Sequence, residues 1–291
     1  MSNSNQSGIK YSISKIDLIS DWKLMLKIKL DVEGFDTSKI NLDELPRLYF
    51  SYKKRCIPIT KRKILKSSVF KCPTIHSDGL KLLEQKIING IDLRPHLSKS
   101  IYEINYNDSM LYDWGVYHLH LGTLPEINFP ESINRTNYLL YAMIDTNAVY
   151  CIQILEHGQW SNKILIETIY QNWPDLIHPF ILKEFSDIEF EVNSLRVQNL
   201  RKAGVNGLNL VGNDFVMSGP GGGITCSGLS SEVILKSNTA IRKLIHLQNQ
   251  LKENPKSFIT NEMDNLNLIK DSKFYFVLKE ENGQIILLEK K

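Results

Sequence analysis

Apolar positions along the chain fall into short runs whose spacing switches between two residues and about three and a half. Residues 1 to 8 are polar and read as a loose leader. After them, Lys23 to Asp31 (KLMLKIKLD) alternates apolar with polar, and Leu48 to Tyr52 and Ser67 to Phe70 are short aromatic or β-branched runs. Period two places one set of side chains on each face of a strand, so residues 1–76 are expected to form a β-rich N-terminal region. The pattern then changes. Behind Ser77-Asp78-Gly79, Leu80, Leu83, Ile87 and Ile91 recur near the helical repeat after a capping residue, which predicts a helix that Arg94-Pro95 breaks.

Three aromatic and β-branched runs follow: Trp114 to Leu121 (WGVYHLHL), Tyr138 to Asp145 (YLLYAMID) and Ala148 to Leu155 (AVYCIQIL), the last two joined by the turn Asp145-Thr146-Asn147. They predict an antiparallel meander. Residues 161–170 regain helical spacing behind Ser161, with Trp160 and Trp173 as core anchors, and Trp173-Pro174 ends the element. The chain is Gly- and Asn-rich from about 195 to 230, helical from about Ser231 to Leu251, and closes on a β-hairpin, FYFVLKE-ENG-QIILLE. The expected fold is α+β: a central antiparallel sheet with flanking helices, a β-rich N-terminal extension and a C-terminal β-hairpin. Its segments are 1–76, 77–185 and 186–291, one mixed domain with an extension.

Composition narrows the class. The 291 residues carry 35 Lys+Arg against 32 Asp+Glu, a formal charge of +3, with 42% hydrophobic residues. That balance is globular, and the length suffices for a core without disulfides or structural metal. No apolar run approaches the roughly 18 to 20 residues of a membrane span, and MSNSNQSG lacks a signal-peptide core. A cytoplasmic protein without membrane partners is the expectation. Cys56, Cys72, Cys151 and Cys226 are too scattered for a zinc ribbon or disulfide scaffold. The chain has 27 Lys against 8 Arg and 34 Ile against 4 Ala, the imprint of an AT-rich genome, so lysine abundance is discounted. Walker, zincin, nucleophile-elbow and kinase signatures are absent from the sequence.

One local excess of charge survives that discount. Lys53, Lys54, Arg55, Lys61, Arg62, Lys63, Lys66 and Lys71 fall within nineteen positions that contain no acidic residue. Such a stretch attracts backbone phosphates without reading bases. It also fits a solvated face or an acidic protein partner.

Imidazoles supply the other candidate chemistry. Period two puts Trp114, Val116, His118 and His120 on one strand face, with His157 just past the third strand and Arg135 just before the second. Histidine exchanges protons near neutral pH, and arginine offers a planar fork to phosphate. His118, His120, Arg135 and His157 together would suffice for metal-free RNA cleavage: a base for the ribose 2′-hydroxyl, an acid for the leaving oxygen and a cation for the developing charge. No cofactor is required. A metal alternative joins His118 and His120 to Asp145 or His157, without the carboxylate cluster a magnesium nuclease uses. His76, His96, His178 and His246 read as ordinary polar residues. Gly219-Pro220-Gly221-Gly222-Gly223 lacks the context of a phosphate loop and reads as a mobile surface loop or lid.

The succession of helix, WGVYHLHLG, a loop with Arg135, YLLYAMID, a tight turn, AVYCIQIL and His157 resembles the core of RelE-type toxin ribonucleases over residues 78–160. The resemblance implies a helical segment packed on an antiparallel sheet whose face cuts RNA, with RNA or the ribosome as target and an antitoxin protein as partner. It places His118, His120, Arg135 and His157 where acid, base and phosphate-binding groups would be sought. The expected function is therefore a metal-independent endoribonuclease of the toxin or phage-defence kind, cleaving by 2′-hydroxyl attack. The alternatives are a non-catalytic nucleic-acid- or protein-binding module and a metal-dependent nuclease.

Overall fold

The structure, a computed structural model, describes residues 17–185, 188, 193–212, 215–253, 277–281 and 284–288. The polar leader lies outside them. The chain is α+β, and it divides into two compact units: residues 1–49 with 235–291, and residues 50–234. Both cuts fall inside helices, α2 (Leu45–Arg55) and α7 (Ser231–Glu253), rather than at the expected segment boundaries.

The N-terminal region is helical where strands were expected. Helix α1 (Leu18–Val32) is capped by Asp17, whose carboxylate accepts from Ser20 N at 3.1 Å, and it buries Leu18, Trp22, Leu26 and Leu30. These four residues recur every fourth position. The run KLMLKIKLD satisfies a two-residue and a four-residue repeat at once, and the cap at Asp17 resolves the ambiguity toward helix. The other alternating positions, Leu24 and Ile28, consequently face solvent. Leu18 N donates to Gln248 Oε1 at 2.7 Å, tying α1 to α7. In α2, Leu45, Leu48 and Tyr52 are buried at helical spacing, so the aromatic run LYFSY is a helix face. Ser67 to Phe70 is a turn following β1 (Lys63–Lys66). The C-terminal hairpin forms as expected, β9 (Val277–Glu281) against β10 (Gln284–Leu288).

The second unit is built on a four-stranded sheet in the order β1-β6-β5-β2. Strands β2 (Val116–His120), β5 (Tyr138–Ile144) and β6 (Ala148–Glu156) form the expected antiparallel meander, with a bulge at Tyr141/Ala142. Asp145 makes the β5–β6 turn by accepting from Asn147 N and Ala148 N, each at 2.7 Å. The sheet is mixed, because β1 adds in parallel to β6. A small hairpin, β3 (Pro125–Glu126) with β4 (Phe129–Ile133), is inserted between β2 and β5. A second pairs β7 (Asn209–Val211) with β8 (Phe215–Met217).

Helix α3 (Ser77–Asn89) follows the sequence expectation and ends at Gly90, whose φ of +67° is the left-handed cap glycine favours. Its first turn is seated on the chain leaving β2: a Cβ at Gly79 would lie 1.7 Å from the Leu121 carbonyl oxygen. Trp114 is not on the strand. It closes the short helix α4 (Ser109–Trp114), and Gly115 at φ +70° turns the chain into β2. Val116, Leu139, Tyr141 and Ile152 on one sheet face meet Leu165, Ile166 and Ile169 of α5 (Ile164–Asn172) and Val197 of α6 (Ser194–Lys202) in the core.

Beneath that core lies an ion pair. Arg201 Nε donates to Asp113 Oδ2 at 2.8 Å, and the guanidinium sits 4.2 Å from the Trp114 ring centroid. The Gly-rich segment packs on the same corner and forms no lid: Gly221 N donates to Asp113 O at 2.7 Å and Gly223 N to Tyr112 O at 2.9 Å. A Cβ on Gly221 would come within 2.4 Å of Leu111 O, so these glycines permit close backbone approach rather than mobility. Arg201→Met is expected to cost about 3 to 5 kcal/mol in urea unfolding, because it strands a buried carboxylate. The double variant Asp113→Leu/Arg201→Met should recover part of that loss, and no recovery would show that Arg201 acts by packing alone.

Candidate functional site

The strand β2 carries His118 and His120 on one face, as the alternation implied, but that face is closed. His120 is 2% exposed and His118 8%. Thr136 N donates to His120 Nδ1 at 3.3 Å, which leaves the ring proton on Nε2, an atom sealed without a hydrogen-bond partner. Burial, followed by the charge of Arg135 and the neighbouring imidazoles, pushes His120 down to about 3. His118 is likewise pushed down by burial, against the opposing pull of Asp108. Its Nδ1 lies 3.7 Å from Asp108 Oδ2, too long for a hydrogen bond, beside a cavity of about 20 Å³, room for a single water.

His96, read from sequence as an ordinary polar residue, supports this pair. It is fully buried, and its Nδ1 donates to the His120 carbonyl at 2.8 Å. Its Nε2 then accepts from Lys86 Nζ at 2.9 Å. Burial takes His96 down to about 4. Both His96 and His120 are therefore neutral hydrogen-bonding posts across the physiological range.

His157 and Arg135 are the exposed members of the expected quartet. The His157 ring stacks 6.4 Å from that of His120, and Trp160 packs on both His157 (4.9 Å) and His118 (4.6 Å). The structure thus brings the four predicted residues together, yet hands only a guanidinium and one imidazole to solvent. The expected second accessible imidazole, needed for paired acid and base, is buried by Trp160 and the core below it. Asp145, the metal candidate, is spent on its turn and on Tyr150 OH at 3.0 Å. Among the described residues no cluster of three His, Cys, Asp or Glu side chains could hold a metal ion.

The basic stretch is divided in the same way. Arg55 is 3% exposed and donates to the carbonyls of Ser51, Ser100 and Glu103; Arg62 is 6% exposed and donates to those of Asp145, Pro58 and Thr60. Both are removed from the phosphate-binding set because their guanidiniums satisfy buried carbonyls. Lys54 pairs with Glu232 and donates to Gly221 O, while Lys66 pairs with Glu84 at 2.8 Å. Lys53, Lys61, Lys63 and Lys71 remain exposed.

An open groove of about 470 Å³ lies beside Arg135, lined among others by His76, Asp78, Asn134, Thr136, Asn137 and Tyr138. The loop at its edge is fixed from behind. Besides the His120–Thr136 bond, Thr136 Oγ1 donates to Tyr138 O at 2.6 Å and accepts from Leu121 N at 3.2 Å, and His157 N donates to Asn137 O at 2.7 Å. Among the described residues Arg135 has no carboxylate partner. The one acid in the lining, Asp78, is loosely paired with Lys81 at 3.4 Å. The rings of His76 and Tyr138, both in the groove lining, lie 5.6 Å apart and tilted. Sequence reading named Arg135 and missed His76, Asn137 and Tyr138. Their only shared signal is position, immediately before α3 and immediately before or at the start of β5.

No protein-family model, curated protein or solved structure matches this chain. Among the described residues no helix is long and apolar enough to cross a membrane.

The neutral buried imidazoles set a pH signature. An unfolded histidine titrates near 6.5 and binds the proton that folded His96 and His120 refuse. Stability is therefore full above pH 6.5 and is lost as pH falls toward about 4 and about 3, where the folded rings titrate. Between pH 6.5 and 5 each ring steepens the decline by up to about 1.4 kcal/mol per pH unit. His120→Asn, which keeps an acceptor for Thr136 N, should flatten the urea-measured slope by about one proton. Equal stability at pH 7.5 and 5 would contradict neutral burial.

Proposed function

We propose that the protein is a nucleic-acid-binding module that grips a single strand in the Arg135 groove. The observation that carries this reading is the combination, in one groove, of an unpaired guanidinium with two aromatic rings. A guanidinium takes a phosphate through parallel hydrogen bonds, while His76 and Tyr138 offer ring faces on which an unpaired base can stack. The Asn134 and Asn137 amides lie in the same lining. Glu84, which pairs with Lys66 of β1, lies six residues along α3 from Asp78, about 9 Å at helical rise. This reading keeps the phosphate-binding expectation and moves its centre from the basic stretch to the loop that the histidines brace.

Fluorescence anisotropy with a labelled single-stranded RNA tests it. Arg135→Ala should weaken binding at least about tenfold, the scale of a charged hydrogen bond, and should reduce the salt slope by roughly one contact. Tyr138→Ala should weaken binding by about 1 to 3 kcal/mol with the salt slope unchanged, because stacking releases no counterions. Binding that is absent, or that is insensitive to Arg135→Ala, would refute the groove.

The endoribonuclease reading retains one favourable observation, the 6.4 Å stack of His157 on His120 within reach of the Arg135 charge. Incubation of RNA with the protein in EDTA separates the two. The binding reading expects intact RNA. Fragments ending in 2′,3′-cyclic phosphate, lost in His157→Ala, would establish cleavage instead.

A further inference from the structure

We infer that the groove reads guanine, with the Asp78 carboxylate accepting from N1–H and N2–H of the base while Arg135 holds the strand. The inference rests on the strand-binding reading above and adds which base that strand presents.

The first observation is a carboxylate among groups suited to phosphate. The lining is drawn from the start of α3, the exit of β2 and the loop before β5, and Asp78 is the one acid in it, opposite in charge to Arg135. An acid suits the first turn of a helix, yet a carboxylate facing a sugar–phosphate backbone repels it. It helps to hold a strand only where it meets a base. Asp78 is 84% exposed, and its pairing with the equally free Lys81 at 3.4 Å is a surface contact of little strength, so a ligand can take the carboxylate at small cost.

The second is where the rings lie. His76 stands two residues before Asp78, and its ring packs 5.6 Å from that of Tyr138, three residues after Arg135. A base stacked on Tyr138 with its phosphate on Arg135 brings its edge to the start of α3, where Ile75, 81% exposed, adds apolar surface. An ionised carboxylate only accepts, through two oxygens side by side. Guanine alone among the RNA bases has two adjacent donors on its Watson–Crick edge. Adenine and cytosine set one donor beside an acceptor there, and uracil sets its donor between two acceptors, so each turns a lone pair toward the carboxylate. Guanine therefore gains two charge-assisted hydrogen bonds, on the edge that an unpaired base leaves open to a protein.

The test is competition anisotropy at fixed salt with uridine hexamers carrying one central guanosine, adenosine or cytidine, beside hexauridine itself. The guanosine hexamer is expected to bind at least about tenfold tighter than the others, the scale of one bidentate base contact. Inosine, which lacks the N2 amino group, should forfeit much of that gain, whereas 7-deazaguanosine, which keeps the Watson–Crick edge, should bind as guanosine does. Asp78→Asn should abolish the preference and leave hexauridine binding no weaker. Equal affinity of all the hexamers overturns guanine recognition and leaves strand binding in place, as does inosine matching guanosine or a preference that survives Asp78→Asn. Failure of every hexamer to bind overturns both readings. Guanosine monophosphate should compete only at far higher concentration than the guanosine hexamer; equal competition would assign the groove to a free nucleotide and overturn both.

Discussion

The pair between Asp113 and Arg201 is the constraint on which the second unit depends. Both side chains are buried, 5% and 7% exposed, and neither is tolerable in the interior without the other. Burial pushes the Asp113 carboxyl up and Arg201 down, and their mutual attraction opposes both shifts. Three otherwise separate pieces meet here. Asp113 belongs to the last turn of α4 and thereby fixes where β2 begins. Arg201 lies in the last turn of α6 and also donates to the carbonyl of Trp160, the residue whose ring covers His118 and His157. The Gly221 amide takes the Asp113 carbonyl. Position and cover of the histidine strand thus trace to one charged contact, and the Trp114 face that receives the guanidinium adds a cation–π term.

Much of the second unit was legible in the sequence because its signals are unambiguous. Alternation over YLLYAMID and AVYCIQIL, an Asp-led turn and a capped helical repeat in α3 each point one way, and all three elements form. The N-terminal region was misread where two periods coincide, since Trp22, Leu26 and Leu30 fit a helix stripe as well as Leu24, Leu26, Ile28 and Leu30 fit a strand. Strand β1 was invisible for another reason. It is four residues long, begins and ends in lysine, and is specified by its partner β6 rather than by its own pattern. Short edge strands are tertiary facts.

The site was half legible. Residue type and register placed His118, His120, Arg135 and His157 in one neighbourhood, and they are there. Exposure is not written in a strand's alternation, because a face can be covered by an element far along the chain, here by Trp160. The same limit applies to the basic stretch, in which Arg55 and Arg62 turn inward to cap carbonyls. Arginine in a lysine-rich chain is the better choice for that task, since its planar fork reaches several acceptors at once. His120 and His96 then take a different role as neutral, buried rings in defined tautomers: His120 holds the Arg135 loop through Thr136 N, and His96 holds the His120 carbonyl.

The first unit has a consequence for how the chain acquires its shape during synthesis. Residue 18 is joined to residue 248, while the β5–β6 hairpin closes over a three-residue turn. Local pairings form in microseconds, whereas contacts between distant residues wait for loop closure and, on the ribosome, for the second partner to emerge. Helix α1 therefore leaves the ribosome long before Gln248, the partner of its Leu18 amide, exists. Until that residue emerges the first turn of α1 cannot make its long-range bond, a delay that the more local β5–β6 pairing is spared.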